Sequence, residues 1–240
     1  MLNLAAALQS TVGRKLVMGL TGFVWFGYLL AHLSGNLLLF VGRDAFNGYA
    51  QFLTHTLLHG AAVWIFDALL VVTLLAHVWT GVGIWWRKNE SRPSGYELVA
   101  DAGGPSKKSW ASQSMAYTGI LILAFIAWHV IAFKFGENEK FPHYELAGEQ
   151  VRDVYSIVVT AFQDPITMGI YVFIMLLIGI HLSHGVWSAF QSLGLNNSRF
   201  MPLLTAIGAF FAVVLAAGFL VLPMIVFLDP SDYFMQGVPR

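Results

Sequence analysis

Apolar residues gather into five nearly unbroken runs, at 16–41, 61–86, 111–135, 165–190 and 202–228, with shorter polar stretches between them. Each run is long enough to cross about 30 Å of hydrocarbon as a helix, which takes roughly 20 residues. The pattern predicts an all-α integral membrane bundle of five transmembrane helices, with residues 1–240 forming a single domain. Pro165 and Pro202 open their runs, where the missing N–H of a first-turn proline would be unpaired anyway. Pro223 lies inside the last run and predicts a kink near its outer end, with freed backbone groups that need other partners.

The polar stretches differ in kind. Residues 42–60 carry Asp44, Asn47, Tyr49, Gln51, His55 and His59 among apolar positions, the pattern of a short helix lying in the membrane interface. Residues 90–109 are polar and glycine-rich, with Pro93 and Pro105, and read as an extended loop. The acidic and aromatic mixture over 136–164 predicts a second interfacial segment. No fixed-period repeat is present. The first residues lack the basic start and small-residue cleavage site of a signal peptide, so the first run is expected to be a retained helix.

Composition agrees with a bilayer. Of the 240 residues, 57% are hydrophobic and 11% charged, and the mean hydropathy is +0.67, too apolar for a soluble domain of this length. A net charge of zero and the lack of a basic tract argue against nucleic-acid binding. With no cysteine, the chain supplies neither a thiolate haem ligand nor an iron–sulfur cluster site. Basic residues orient the spans, because short cytoplasmic loops carry the excess. Arg14, Lys15, Arg87, Lys88, Arg92, Lys107, Lys108 and Arg199 fall on one side, against Arg43, Lys134, Lys140, Arg152 and Arg240 on the other. The expectation is a multi-pass membrane protein with its N-terminus facing the cytoplasm and its C-terminus the outside.

Histidines mark the chemistry, since an ionisable residue inside a membrane helix is costly unless it has a partner. Four of the runs each hold one deep in the span: His32, His77, His129 and His181, with His184 competing with the last. His77 and His181 both stand nine residues from the inner ends of their runs, or about 14 Å. His32 and His129 stand 16 and 18 residues up, or about 24 to 27 Å. A lone membrane histidine bonded across a helix contact is ordinary. Four on four helices, at two depths, are the arrangement for two haems b in the bundle core, each iron held between two imidazoles. The repeated H-x-x-x-G of His77 to Gly81 and His181 to Gly185 puts glycine on the histidine's own face, where a porphyrin needs space. The same reading gives Gly22, ten residues before His32, the task of opening that helix for its haem.

Four motifs resemble one family. They are Gly13-Arg-Lys-Leu-Val-Met-Gly-Leu-Thr-Gly22, His32-Leu-Ser-Gly-Asn36, Asp44-Ala-Phe-Asn-Gly-Tyr49 and His181-Leu-Ser-His-Gly-Val-Trp-Ser-Ala-Phe-Gln-Ser-Leu-Gly194. Over nearly the whole chain the sequence is similar to the single-chain, five-helix, two-haem cytochrome b anchors of bacterial succinate:menaquinone and fumarate reductases. The resemblance implies an outer haem held by His32 and His129 and an inner haem held by His77 and His181. It implies a flavoprotein subunit and an iron–sulfur subunit on the cytoplasmic face, with electrons passing through both haems to menaquinone. Succinate oxidation itself belongs to a partner, so no catalytic residue is assigned here. Some fumarate reductases of the group carry a glutamate two residues before the inner-haem histidine of the fourth span; Gly179 stands there, which argues against a proton route at that position.

Quinone reduction consumes protons as well as electrons, so its site needs proton-exchanging groups. Asp67, the one carboxylate well inside a span, with His55 and His59 nearby, is the outer candidate. Arg14, Lys15, Trp187 and Gln191 are the inner candidates, the basic ones among them could instead hold haem propionates, and His184 is placed to neighbour a quinone or a propionate. Two other readings fit the same residues: a di-haem quinone cytochrome of a hydrogenase or nitrate reductase, distinguished by its partner, and a histidine-relay transporter, which would show no haem spectrum.

Overall fold

The computed structural model describes residues 3–91, 109–136, 143–195, 197–229, 233–236 and 238. Most of the loop expected over 90–109 lies outside the described residues, as do Arg92, Lys107, Lys108, Lys140 and Arg240.

The apolar runs form helices because hydrocarbon has no water to satisfy backbone N–H and C=O groups, which must then bond within the segment. After a short helix α1 (Leu4–Gln9), these are α2 (Thr11–Asn36), α4 (Ala61–Glu90), α5 (Trp110–Val130), α7 (Pro165–Ser192) and α8 (Met201–Leu228). Among the described residues these five are the helices long and apolar enough to cross a membrane. A 3₁₀ turn (Leu37–Phe40) prolongs α2 and a π turn (Ile131–Phe135) prolongs α5. Trp64, Trp79 and Ile166 lie bare on helix surfaces, as side chains facing lipid do. The chain is an all-α, multi-pass membrane protein.

The interfacial helix expected after the first span is α3 (Arg43–Gln51), followed by a π turn (Phe52–Thr56) and a 3₁₀ turn (Leu57–Gly60). Leu58 and His59 adopt left-handed φ of 51° and 54°, which separates this segment from α4. The connection between α5 and α7 departs from expectation. It holds an antiparallel hairpin, β1 (Tyr144–Leu146) with β2 (Glu149–Val151), ahead of α6 (Val154–Gln163). Ala147 and Gly148 both have positive φ, as the tightest hairpin turns require, but Ala-Gly lacks the asparagine or aspartate that usually signals one.

Two compact units divide the chain, and each of the five long helices contributes a segment to both. The first unit comprises Met1–Tyr28, Leu70–Ile120 and Ile178–Val214. There small residues bring backbones together. A Cβ on Gly19 would lie 3.3 Å from the Ala189 carbonyl oxygen, and one on Gly208 would lie 3.3 Å from the Trp187 nitrogen. Edge-to-face pairs Phe23–Phe190 and Phe26–Phe211 pack beside them.

The second unit comprises Leu29–Leu69, Leu121–Leu177 and Leu215–Arg240. Asp153, 1% exposed, N-caps α6 by accepting from the Ser156 N–H at 3.3 Å. Arg43 donates to both of its oxygens, at 3.2 and 2.5 Å, and the Asn47 amide donates at 2.8 Å. The Asn47 carbonyl oxygen in turn accepts from the Tyr155 N–H at 2.9 Å. Tyr144 places its ring under the Arg43 guanidinium and donates its hydroxyl to Asp44. This network ties α3 to α6 and to the hairpin. Pro223 is buried within α8, which is not interrupted there, and Gln163 donates to the Val226 carbonyl, one of the terminal acceptors the helix leaves open.

Two of the sequence motifs meet in this unit. Gly35 of α2 lies under Tyr49 of α3, and a Cβ on Gly35 would stand 2.5 Å from the tyrosine Cε1. Gly35→Ala is therefore expected to destabilise the protein by about 1–3 kcal/mol, the usual cost of overpacking. A lowered thermal midpoint in detergent, with Gly35→Ser at least as low, is the readout.

Candidate functional site

Each unit brings one pair of the deep histidines together. In the first unit His77 of α4 and His181 of α7 have ring centroids 6.4 Å apart. In the second His32 of α2 and His129 of α5 have centroids 6.0 Å apart. His184 packs its ring against Trp187 at 4.9 Å, so the ring opposite His77 is that of His181.

Hydroxyls from neighbouring helices hold the first pair. Thr21 of α2 lies 3.2 Å from His77 Nδ1, and Thr118 of α5 lies 3.0 Å from His181 Nδ1. Thr21 commits its hydrogen to its own helix, at the Val17 carbonyl (2.7 Å), and Thr118 does so at Ser114 (3.1 Å). Each oxygen then accepts from the imidazole, which places the ring hydrogen on Nδ1 by the logic of the network. The lone pair is left on Nε2, the nitrogen available to a metal. The residue after each threonine is glycine, and it lies against the same ring. A Cβ on Gly22 would be 3.5 Å from His77 Cε1, and one on Gly119 would be 3.6 Å from His181 Cε1. Two Thr-Gly steps thus cradle two histidines.

Gly22 therefore makes room for His77 of another helix, which corrects the expectation that it opens α2 for His32. Of the H-x-x-x-G glycines, Gly185 has open space on its Cβ side, whereas Gly81 abuts Met18.

The second pair is held differently. Tyr171 of α7 contacts His129 Nδ1 at 2.6 Å. The Asn36 amide, one turn along α2, lies 3.5 Å from His32 Nε2, at the outer limit of a hydrogen bond. Phe125, Phe133 and Phe219 pack on the two imidazoles.

Chemically, each site offers two imidazoles from two helices. Among the described residues no cluster of three or more histidine, cysteine or acidic side chains forms a metal cage. Zinc takes four ligands, whereas a haem iron takes four from its porphyrin and needs two. With a histidine–metal bond of about 2 Å on each side and roughly 1 Å from nitrogen to ring centre, an iron between two imidazoles sets their centroids about 6 Å apart. The donor sets fit haem on both counts. Thr118→Val, which keeps the shape but removes the acceptor, is expected to weaken haem retention at the His77–His181 pair about 10-fold or more. Haem per chain through successive detergent washes measures it, with Thr118→Ser retaining the wild-type value.

The quinone candidates are dispersed. Asp67 pairs with Lys134 rather than with a histidine. His55 bonds the neighbouring Thr54 hydroxyl at 2.7 Å, and His59 is exposed at the left-handed bend. Arg14 lies over Gly83 and donates to the Gln9 carbonyl, while Lys15 is exposed and Gln191 half-buried. His184 Nδ1 is buried without a hydrogen-bond partner. Sequence reading missed Thr21, Thr118 and Tyr171. Thr-Gly recurs in each of the first three spans, at Thr21, Thr80 and Thr118, and this is the signal that narrows the search to the two threonines that meet a ring.

The chain is 26% identical over 166 residues to the succinate dehydrogenase cytochrome b558 subunit of Bacillus subtilis (strain 168). That alignment takes in 67% of this chain and 69% of the relative. No family model matches, and no solved structure matches. Over two thirds of its length, then, this membrane protein is similar to the cytochrome b subunit of a bacterial succinate dehydrogenase.

Proposed function

We propose that the chain is the membrane-anchoring cytochrome b subunit of a succinate:menaquinone oxidoreductase of the bacterial inner membrane. His77 with His181, and His32 with His129, would each hold one haem b. One observation carries this reading: two histidine pairs, each from two spanning helices, stand with ring centroids 6.0 and 6.4 Å apart, and each pair would hold one haem iron. The named relative, itself a succinate dehydrogenase subunit, supports the choice of complex over other di-haem cytochromes. When bound, each haem supplies a one-electron carrier between a soluble donor and the quinone pool.

The protein's own part is to hold and orient. Thr21 and Thr118 keep a hydrogen on Nδ1 of their histidines, which leaves the lone pair on Nε2. Gly22 and Gly119 let the neighbouring helices come close to those rings. A flavoprotein and an iron–sulfur subunit on the cytoplasmic face would supply the electrons, and menaquinone would accept them.

Purification of the intact complex tests the reading. Two low-spin haems b per copy of this chain, flavin in a co-purifying subunit and succinate-dependent haem reduction are expected. A colourless chain points to a histidine-relay transporter, and a nickel or molybdenum partner points to a different respiratory enzyme. Either result overturns the proposal.

A further inference from the structure

Tyr171 differs from the two threonines in one chemical respect. The threonine hydroxyls each bond both an imidazole and a carbonyl of their own helix. The Tyr171 oxygen has His129 Nδ1 as its one hydrogen-bond partner among the described residues, at 2.6 Å. The ring is 6% exposed and enclosed by Phe125, Trp128, Phe133 and Phe162, with centroids 4.9 to 6.2 Å away. A phenol is therefore walled in with an imidazole as its polar neighbour, and the wall keeps water from taking its place.

We propose that Tyr171 is a positioning residue that sets how strongly His129 donates electrons to a bound haem iron, and thereby the reduction potential of that haem alone. The inference rests on the haem reading above. With iron on Nε2, Nδ1 carries a hydrogen, and the phenol oxygen accepts it. An acceptor on that hydrogen makes the imidazole more basic and so favours ferric over ferrous iron. None of the four rings that enclose the phenol carries an acceptor to replace its oxygen. Removing it shifts the balance toward ferrous iron. The His77–His181 pair, held by threonines, is unaffected.

Optical redox titration of the purified three-subunit complex tests this with Tyr171→Phe, which deletes one oxygen atom. The expected result is two haems per chain, with one titrating component shifted about tenfold toward ferrous iron. For one electron that is 59 mV upward. The other component stays in place, and Thr118→Val moves that one instead. Two haems with neither component shifted overturns the inference and leaves the functional reading intact, whereas a wild-type complex without haem overturns both. If the phenylalanine variant loses its haem, substitution of Tyr171 by 3,5-difluorotyrosine decides. Its ring keeps the shape but its oxygen accepts more weakly, so a smaller upward shift supports the role and an unmoved potential overturns it.

Discussion

His181→Leu is expected to take one of two haems from the purified complex and leave the other with its spectrum and potential intact. The leucine keeps the volume and the apolar character of the span, so the helix inserts, but Nε2 opposite His77 is gone. A single imidazole does not hold a low-spin iron on both faces. His77→Leu gives the same half-content, because His77 and His181 face one another. His184→Leu retains both haems, since its ring packs on Trp187. Haem-to-protein ratios separate the three variants. Full haem content in both His77→Leu and His181→Leu would mean that this pair ligates nothing.

The second large effect is on stability. Asp153→Ala is expected to destabilise the protein by about 3–5 kcal/mol, the cost of leaving a largely buried charge without its partner. The carboxylate is 1% exposed and receives Arg43, Asn47 and the Ser156 N–H, so its loss strands three donors. Pairing Asp153→Leu with Arg43→Met should recover part of the loss, because an apolar pair strands no charge. Acid should act on the same point. Burial works to raise the Asp153 carboxyl, and the bonds from Arg43, Ser156 and Asn47 outweigh it, holding it below the ordinary carboxylate range. A carboxyl depressed in the folded state contributes fully above its unfolded value near 3.9 and progressively less as pH falls through the folded value. The thermal midpoint of the wild type should therefore fall below about pH 4, and Asp153→Asn should flatten that limb.

What could be read from the chain beforehand depended on range. The five spans follow from run length, because twenty apolar residues have few other fates, and the structure keeps each within a few positions. The facing of His77 with His181 and of His32 with His129 was readable from depth, since helical rise is constant. Rotation about the helix axis was not readable. Thr21 lies 56 residues from His77, and Thr118 lies 63 from His181, so which face of each helix meets which ring depends on packing among all the spans. That is why Gly22 was assigned to the wrong histidine. The hairpin was missed because its turn is Ala147-Gly148, and the alternation of its strands lasts only three residues each. Asp67 looked available as a proton-exchanging group because nothing local pairs it. Its partner Lys134 arrives from a different helix.

The Thr-Gly steps have a consequence for how the proposed haem would be received. Because each threonine oxygen takes the Nδ1 hydrogen of its histidine, one tautomer is favoured at both rings, and an iron would meet a lone pair on Nε2 with no proton having to move.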